Sequence, residues 1–441
     1  MKPLIRIFIL LIIGIFIALY IIRSNERVNN TNATVYINKS NGKYELYRNG
    51  KPFYIQGASG NSHFQELKNA GANTLRVYDT INLDHTLRTC DSLGLAVIVD
   101  LVLPKFKGNE SYYQDINTRN EIKSTILSTV KKYKNYPALL MWNFNEIEYP
   151  HQRRFKYFRT FFGSLIDEIH EFDTNHPIST SITGLTKIQM ASLQYWCPQL
   201  DLIAINIFGG INKLEKELNR IKPIWNGAYY LSEWGNNGPW EESDKTIWNA
   251  PIEKTSTLKA LEIRERYKKL IPKKNDRFLG NLAFYWGNKQ ERTHTWFSMF
   301  SENGDRTQSI EELEYIWSKK RPINSAPEID SIKLNNKNPG NNILLKSGDI
   351  IESTIFFSDK ENDSLTIKWE LFPENWNYFF GFKENKPNVI EDAVLKQIEG
   401  KIKLRIPEKE GPYRLFSYVY DKHGNFATAN IPFYVLNTTT R

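Results

Sequence analysis

The stretch ALLMWNFNE, residues 138–146, begins as a hydrophobic run and closes on an amide beside a carboxylate. A short apolar segment bounded by polar residues reads as a strand buried on both faces, the kind from which parallel sheets are built. A second acid, Glu148, follows two positions on. Three readings compete for Glu146: a surface acid, half of a structural ion pair, or a catalytic group. The pattern on either side discriminates among them.

From about residue 45 to 320, short apolar runs alternate with longer amphipathic ones. FYIQG (53–57), TLRVYD (74–79), LAVIVDLVL (95–103), ALLMWNFN (138–145), PISTSIT (177–183), LDLIAINIF (200–208), AYYLSEW (228–234) and LGNLAFYWG (279–287) read as strands. A helical pattern follows each, and those after the first two strands close on Gly71 and Gly94, good helix stops. Strands alternating with helices imply a parallel sheet, and eight such units match a (β/α)₈ TIM barrel. A doubly wound open sheet is the runner-up. It needs a glycine-rich phosphate loop after an early strand, and GASGNSH (57–63) lacks the required spacing.

The two ends differ in composition. Residues 7–22, IFILLIIGIFIALYII, carry no charge and lie between Arg6 and Arg23. With Leu4 and Ile5 the run approaches the length of a transmembrane helix. No small-x-small cleavage site and no lipid-attachment cysteine follow, so the expectation is an uncleaved signal anchor rather than a removed signal peptide. Lys2 and Arg6 place the short end in the cytoplasm and the rest on the extracytoplasmic side, periplasmic or extracellular. Beyond about 325, short alternating runs separated by KENDS, EKEGP and DKHGN read as an all-β, immunoglobulin-like sandwich. The expected organisation is an anchor at 1–23, a tether and lead-in at 24–44, the barrel at 45–322 and the sandwich at 323–441.

Composition excludes several function classes. The chain has 441 residues and a net charge of +9, but its basic residues are dispersed among acids. A nucleic-acid binder needs a clustered basic face, and none is visible. The two cysteines, Cys90 and Cys197, offer no metal-ligand spacing, and both fall in barrel elements, so two buried free thiols are expected. Asp359, Glu361 and Asp363 read as an acidic turn rather than a calcium loop. No cofactor and no metal is expected. Aromatic residues make up 13% of the chain, including 11 Trp, which suits stacking on sugars and large cores equally.

In a (β/α)₈ barrel, chemistry sits at the C-terminal ends of the strands. There the sequence places Arg76 (strand two), Asp100 (three), Asn145 and Glu146 (four), Asn206 and Phe208 (six), Ser232 to Trp234 (seven) and Trp286 (eight). Two carboxylates stand out, Glu146 and Glu233. Cleavage of a glycosidic bond needs such a pair, one protonating the leaving oxygen and one attacking the anomeric carbon. A separation of about 5–5.5 Å gives retention and a wider one inversion. Glu148 lies beyond the strand end and receives no catalytic role.

These residues carry a resemblance. ALLMWNFNE after KNYP resembles the strand-four signature of clan A glycoside hydrolases, nearest the family 2 catalytic domain, and LSEWG (231–235) resembles its strand-seven nucleophile motif. NGKPFYIQG (49–57) is similar to the strand-one entry of family 2. LRVYD (75–79) and GLAVIVDL (94–101) resemble both family 2 and β-1,3-glucanosyltransferases. The resemblance implies that Glu146 is the acid/base and Glu233 the nucleophile. It further implies that Asn145 holds a sugar 2-hydroxyl, Arg76 orients Glu233, and Trp286 floors the sugar subsite.

Asn206 and Trp234 complete the expected substrate contacts. Trp240, Trp248 and Trp296 are further candidates for stacking, and His63 and His294 for binding a hydroxyl. Two departures stand out. Phe208 occupies the place of a strand-six tyrosine, with Tyr78, Tyr229 or Tyr285 as substitutes, and the N-terminal sandwich domains usual in family 2 are missing. The expected function is a retaining hydrolase of a β-linked oligo- or polysaccharide. A β-glucan transglycosidase and a non-catalytic glycan-binding envelope protein are the alternatives. Oligomeric state is not readable.

Overall fold

The computed structural model describes residues 31–104, 111–146, 156–242, 244–374 and 385–437. The expected anchor at 1–23 and Glu148 lie outside them. Among the described residues no helix is long and apolar enough to cross a membrane.

Two Asn-Gly pairs shape the start: Asn41 (φ 52°) with Gly42 (φ 81°), and Asn49 (φ 51°) with Gly50 (φ 71°). Two successive left-handed residues make the tight turn whose twist suits a hairpin. They join β1 (Val35–Ser40), β2 (Lys43–Arg48) and β3 (Lys51–Phe53) into a three-stranded antiparallel sheet. Alternate residues Val35, Ile37, Tyr44 and Leu46 face inward and join one core with Ile98, Met141, Ala204, Tyr230 and Leu282. The sheet is pinned to the segments that precede barrel strands: Val35 N–H to Asn175 O (3.0 Å), Tyr44 N–H to Asp276 O (2.7 Å) and Tyr44 Oη–H to Asn226 O (2.9 Å). It therefore closes the N-terminal end of the barrel and leaves the opposite end for chemistry.

The barrel strands are β4 (Ile55–Ser59), β5 (Thr74–Val77), β6 (Ala96–Leu101), β7 (Leu139–Phe144), β8 (Ile178–Ile182), β9 (Leu202–Asn206), β10 (Ala228–Trp234) and β11 (Phe278–Phe284). They close in sequence order, each parallel to the next, and β10 pairs with β11. Every residue of β6, β7 and β9 is buried, which is why these strands read as unbroken apolar runs. The connecting helices are α1 (Phe64–Asn69), α2 (Leu83–Ser92), α3 (Ser111–Gln114), α4 (Ile116–Tyr133), α5 (Lys156–Phe172), α6 (Lys187–Trp196) and α7 (Leu214–Ile221). Asp115 caps α4 by accepting from the backbone N–H of Asn117 and Thr118, and Thr186 caps α6 in the same way through Gln189. Cys90 and Cys197 are free and buried.

The chain divides into two compact units: residues 1–68, 73–234 and 272–283, and residues 69–72, 235–271 and 284–441. The first holds the barrel strands. The second holds α8 (Ser256–Lys269), α9 (Gln308–Ser318) and two four-stranded sheets. One sheet orders β12 (Glu328–Leu334), β14 (Ile350–Ser358), β17 (Lys401–Arg405) and β16 (Val394–Ile398). The other orders β13 (Leu344–Lys346), β19 (Phe426–Leu436), β18 (Gly411–Tyr420) and β15 (Thr366–Pro373), with β13 parallel to β19. Ile332, Ile355 and Leu404 from the first sheet share a core with Trp369, Leu415 and Ile431 from the second. The sheets are stitched to α8 by Thr428 N–H to Ser256 Oγ and Ile329 N–H to Thr257 Oγ1, both 2.9 Å. A buried pair, Lys259 to Glu253 at 2.5 Å, is completed by the hydroxyls of Thr293 and Thr295.

Candidate active site

At the open end of the barrel, Arg76 is the hub. Its guanidinium is 1% exposed and forks onto Asp100, Nε to Oδ1 at 2.9 Å and Nη2 to Oδ2 at 2.7 Å. Nη1 donates to Glu233 Oε1 at 2.9 Å, and Nη2 also reaches Ser181 Oγ at 3.1 Å. One planar cation thus joins the ends of strands β5, β6, β8 and β10, a task that suits the fixed fork of arginine and not lysine. Burial works against its charge, but Asp100, Tyr78 and Glu233 outweigh burial and hold its pKa well above the usual arginine value.

The interior continues below. Asn143 Nδ2 donates to Asp100 Oδ1 (2.6 Å) and to Ser181 Oγ (2.9 Å). Ser179 Oγ donates to Asn143 Oδ1 (2.8 Å) and meets Tyr230 Oη at 3.1 Å. All five residues are fully buried, so each hydrogen bond spares a buried polar group the cost of standing unpaired.

Glu233 sits where β10 departs from regular pairing. Its register against β9 shifts between Leu231 and Glu233. Such bulges re-aim side chains near functional sites. Around this irregularity, the carbonyl of Ser232 accepts from Ser59 Oγ at 2.8 Å and Arg76 Nη1 at 3.4 Å, and Glu233 O accepts from Ile207 N–H at 2.8 Å.

Glu146 follows β7 and has a different partner. Asn206 Nδ2 donates to Glu146 Oε2 at 2.9 Å, and Asn206 Oδ1 accepts from Ser232 Oγ at 2.7 Å. Glu233 thus accepts from a buried cation and Glu146 from a neutral amide.

Asn145 also holds the segment leaving β6. Its Oδ1 accepts from Leu103 N–H at 2.8 Å and its Nδ2 donates to Leu103 O at 3.1 Å. The amide thus pairs with both backbone groups of one residue in the segment leaving β6 and fixes its path. Trp234 and Trp286 are both fully buried. Trp286 packs edge-on to Phe300 at 5.2 Å and against Trp317 at 5.8 Å.

Of the other loop tryptophans, Trp248 packs on Tyr434 and Trp296 donates to Asn237 O at 2.9 Å, while Trp240 is 56% exposed. His294 is buried among Phe372, Phe416 and Tyr418, with Nε2 2.6 Å from Tyr418 Oη. Burial lowers its pKa to about 4. His63 precedes α1 with φ 54°, and burial lowers its pKa.

Phe208 ends the β9 segment and is buried. Of the substitute tyrosines, Tyr229 packs at the start of β10 against Phe278, and Tyr285 meets Phe284. Tyr78 lies at the site: Arg76 stands 4.7 Å from its ring centre, and burial together with Glu233 pushes its phenol well above the usual range. Asp359, Glu361 and Asp363 bring carboxylate oxygens within 4.8 Å of one another. Asp363 N–H donates to Asp359 Oδ1 at 2.8 Å and Asn324 Nδ2 to Asp363 Oδ2 at 2.5 Å, as in a self-stitched acidic turn.

Asn143, Ser181 and Ser232 received no role from the sequence, and Asp100 appeared only as a strand-end acid. A signal was present: Ser179 and Ser181 are two apart in ISTSI, so the period of a strand puts both on one face.

No family model and no curated protein matches the sequence. Solved structures do match. A calcium-binding mutant of β-glucuronidase 2 from Bacteroides uniformis aligns with a TM-score of 0.51 at 13% identity, over 91% of this chain and 48% of that one. The β-D-glucuronidase of Dictyoglomus thermophilum gives 0.49 at 20% identity, over 65% and 54%. A family 2 β-galacturonidase from Eisenbergiella tayi bound to galacturonate gives 0.49 at 15% identity, over 65% and 54%. The chain spans about half the length of these proteins. At such identities the likeness is one of fold, and the Bacteroides uniformis structure carries it.

Proposed function

We propose that the chain is a retaining glycoside hydrolase acting on a β-linked glycan, with Glu233 as nucleophile and Glu146 as acid/base. The observation that carries this reading is the contact of Glu233 with the buried Arg76 guanidinium. A nucleophile must stay ionised, and Arg76 at 2.9 Å stabilises that form. A group that gives and then takes a proton is better served by a neutral partner, which Asn206 supplies. In the first step Glu233 forms a bond to the anomeric carbon as the glycosidic C–O bond breaks, and the proton of Glu146 goes to the leaving oxygen. In the second, Glu146 takes a proton from water as the oxygen of that water displaces Glu233. Tyr78 takes the place of the phenol that Phe208 lacks. Asn145 also shapes the loop after β6. Hydrolysis and transfer share the covalent intermediate and differ in whether water or a sugar hydroxyl resolves it.

The test is a panel of aryl β-glycosides followed by azide rescue. Glu146→Ala with azide is expected to yield a glycosyl azide of retained configuration, and Glu233→Gly with azide the inverted one. Product analysis with an added sugar acceptor separates hydrolysis from transfer. No turnover of any glycoside, by wild type or with azide, contradicts the reading and leaves a glycan-binding protein on a barrel scaffold.

We also propose, from the sequence alone, that residues 1–23 anchor the chain in the membrane with the barrel on the extracytoplasmic side. Membrane fractionation and protease shaving of intact cells test this, and a protected, soluble chain contradicts it.

A further inference from the structure

We propose that Trp240 is a stacking site for a pyranose ring of a glycan chain, which makes the substrate a polysaccharide and not a small glycoside. The proposal rests on the glycosidase reading and deepens it. The sequence offered several loop tryptophans for stacking, and burial separates them. Among the described residues Trp240 is the one exposed tryptophan, at 56%. Scattered exposed apolar groups are ordinary on a protein surface. An indole is among the costliest to leave in water, since burial of apolar surface gains about 25 cal/mol per Å².

The segment that carries this ring is clamped. Arg266 of α8 holds its start: Nη1 donates to Gly235 O at 2.6 Å, and Nη2 donates to Asn237 Oδ1. The indole N–H of Trp296 donates to Asn237 O at 2.9 Å. Gly238 and Glu241 then close a turn around Trp240, Glu241 N–H to Gly238 O and Gly238 N–H to Glu241 Oε2, both 2.9 Å.

Gly238 also backs the indole. A Cβ there would stand 2.4 Å from Cε2 and Cζ2 and 2.8 Å from Cδ2 of Trp240, so this close approach needs glycine. Such similar distances to three bonded ring atoms put the Gly238 main chain over a face of the six-membered ring. Phe297 packs against the indole as well, with ring centres 6.0 Å apart and planes at 45°. The exposed area lies on the parts of the ring that these two leave uncovered. A ring fixed in this way has little freedom left to lose when a ligand arrives.

The ligand that suits such a ring is flat, apolar on its face and polar at its rim. A pyranose has this form: axial C–H bonds make an apolar face that the indole can desolvate, while equatorial hydroxyls keep their water. The chain neighbours Asn236, Asn237, Glu241 and Glu242 are amides and acids, not the contiguous apolar patch that a protein or membrane partner would bury. Trp240 follows Glu233 by seven residues (240 − 233), and seven residues span at most about 25 Å. A short run of sugars covers that distance, so the ring can hold one unit of the chain that Glu233 attacks at another.

The test reads binding without turnover. Full-length Glu233→Gln protein is depleted from solution by insoluble β-1,3-glucan, cellulose, xylan, mannan and chitin. At least one polymer is expected to retain it. Adding Trp240→Ala is expected to weaken that retention about tenfold, the upper range of an aromatic contact. Trp240→Phe is expected to keep most of it, and Trp240→Leu, apolar but not flat, to lose as much as Trp240→Ala. With Glu233 restored, Trp240→Ala is expected to lower kcat/KM on the retained polymer at least about five times more than on an aryl glycoside. Retention by no polymer, retention indifferent to Trp240→Ala, full retention by Trp240→Leu, or equal kinetic losses on polymer and aryl glycoside each overturn the proposal. Retention that depends on Trp240 in a protein inert toward every glycoside supports the stacking site and overturns the catalytic reading alone.

Discussion

At the scale of single residues, Arg76 carries the most. Its guanidinium neutralises Asp100, which is fully buried, and it meets Glu233 at the mouth. Removing one member of a buried ion pair leaves an uncompensated charge and costs about 3–5 kcal/mol. Arg76→Met is therefore expected to lower the unfolding free energy by about that amount and to abolish activity. Glu233→Gln leaves the Arg76–Asp100 fork in place, so it is expected to lose activity by several orders of magnitude while keeping its thermal transition near that of wild type. Chemical denaturation beside kinetics distinguishes the two. If Arg76→Met unfolds at the same denaturant concentration as wild type, the fork is not the anchor described here.

At the scale of elements, close packing sets the tolerances. Gly57 of β4 has no room for a side chain, since a Cβ would lie 1.8 Å from the carbonyl oxygen of Thr74 on β5. Gly57→Ala must push β4 from β5, the strand that holds Arg76. It is expected to cost about 1–3 kcal/mol and to lower kcat before the fold is lost. A variant as stable and active as wild type would show that the strands part without consequence.

Two buried groups in the second unit titrate in opposite senses. Burial raises Glu311 at the start of α9 to about 7 from 4.5, although the Ala326 N–H that it accepts pulls the other way. Its protonated form is favoured in the fold, so its contribution is present below pH 4.5 and lost as pH rises to about 7. Burial lowers His294 to about 4 from 6.5, so its contribution is present above pH 6.5 and lost as pH falls to about 4. Each is worth up to about 3 kcal/mol, and over the shared window they offset one another. Relative to wild type, Glu311→Gln is expected to make stability rise more steeply with pH between about 4.5 and 6.5, and His294→Asn to make it fall. Denaturation midpoints across that range check this, and parallel curves for the three proteins would contradict it.

At the scale of the whole molecule, the eight strands were legible because parallel strands buried on both faces leave unbroken apolar runs with polar ends. Each of the eight overlaps the run that foretold it, and Arg76, Glu146 and Glu233 stood out because they lie near the ends of such runs. What was missed has physical reasons. The hairpins of β1 to β3 were passed over despite two Asn-Gly turns, because their half-buried strands look polar. The partners of Asn145 and Trp286 were not legible because a resemblance transfers residue types and not their partners. Asn145 bonds the backbone N–H and C=O of Leu103, and Trp286 packs against Phe300 and Trp317.

The same scale governs truncation. The sheets share hydrogen bonds with α8 through Ser256 and Thr257, so a chain ending at 322 would strip partners from buried groups of its own unit. Such a fragment is expected to aggregate, and a monodisperse, active fragment in size-exclusion chromatography would refute that.

The central claim, that Glu233 attacks the sugar while Glu146 supplies the proton, is tested most directly by covalent trapping. The enzyme is incubated with the 2-deoxy-2-fluoro analogue of whichever glycoside it turns over, and the digested protein is mapped by mass spectrometry. The account predicts one adduct, on the peptide bearing Glu233, formed by wild type and lost in Glu233→Gln. An adduct on Glu146 or any other residue, or turnover with inverted product and no adduct, would contradict it.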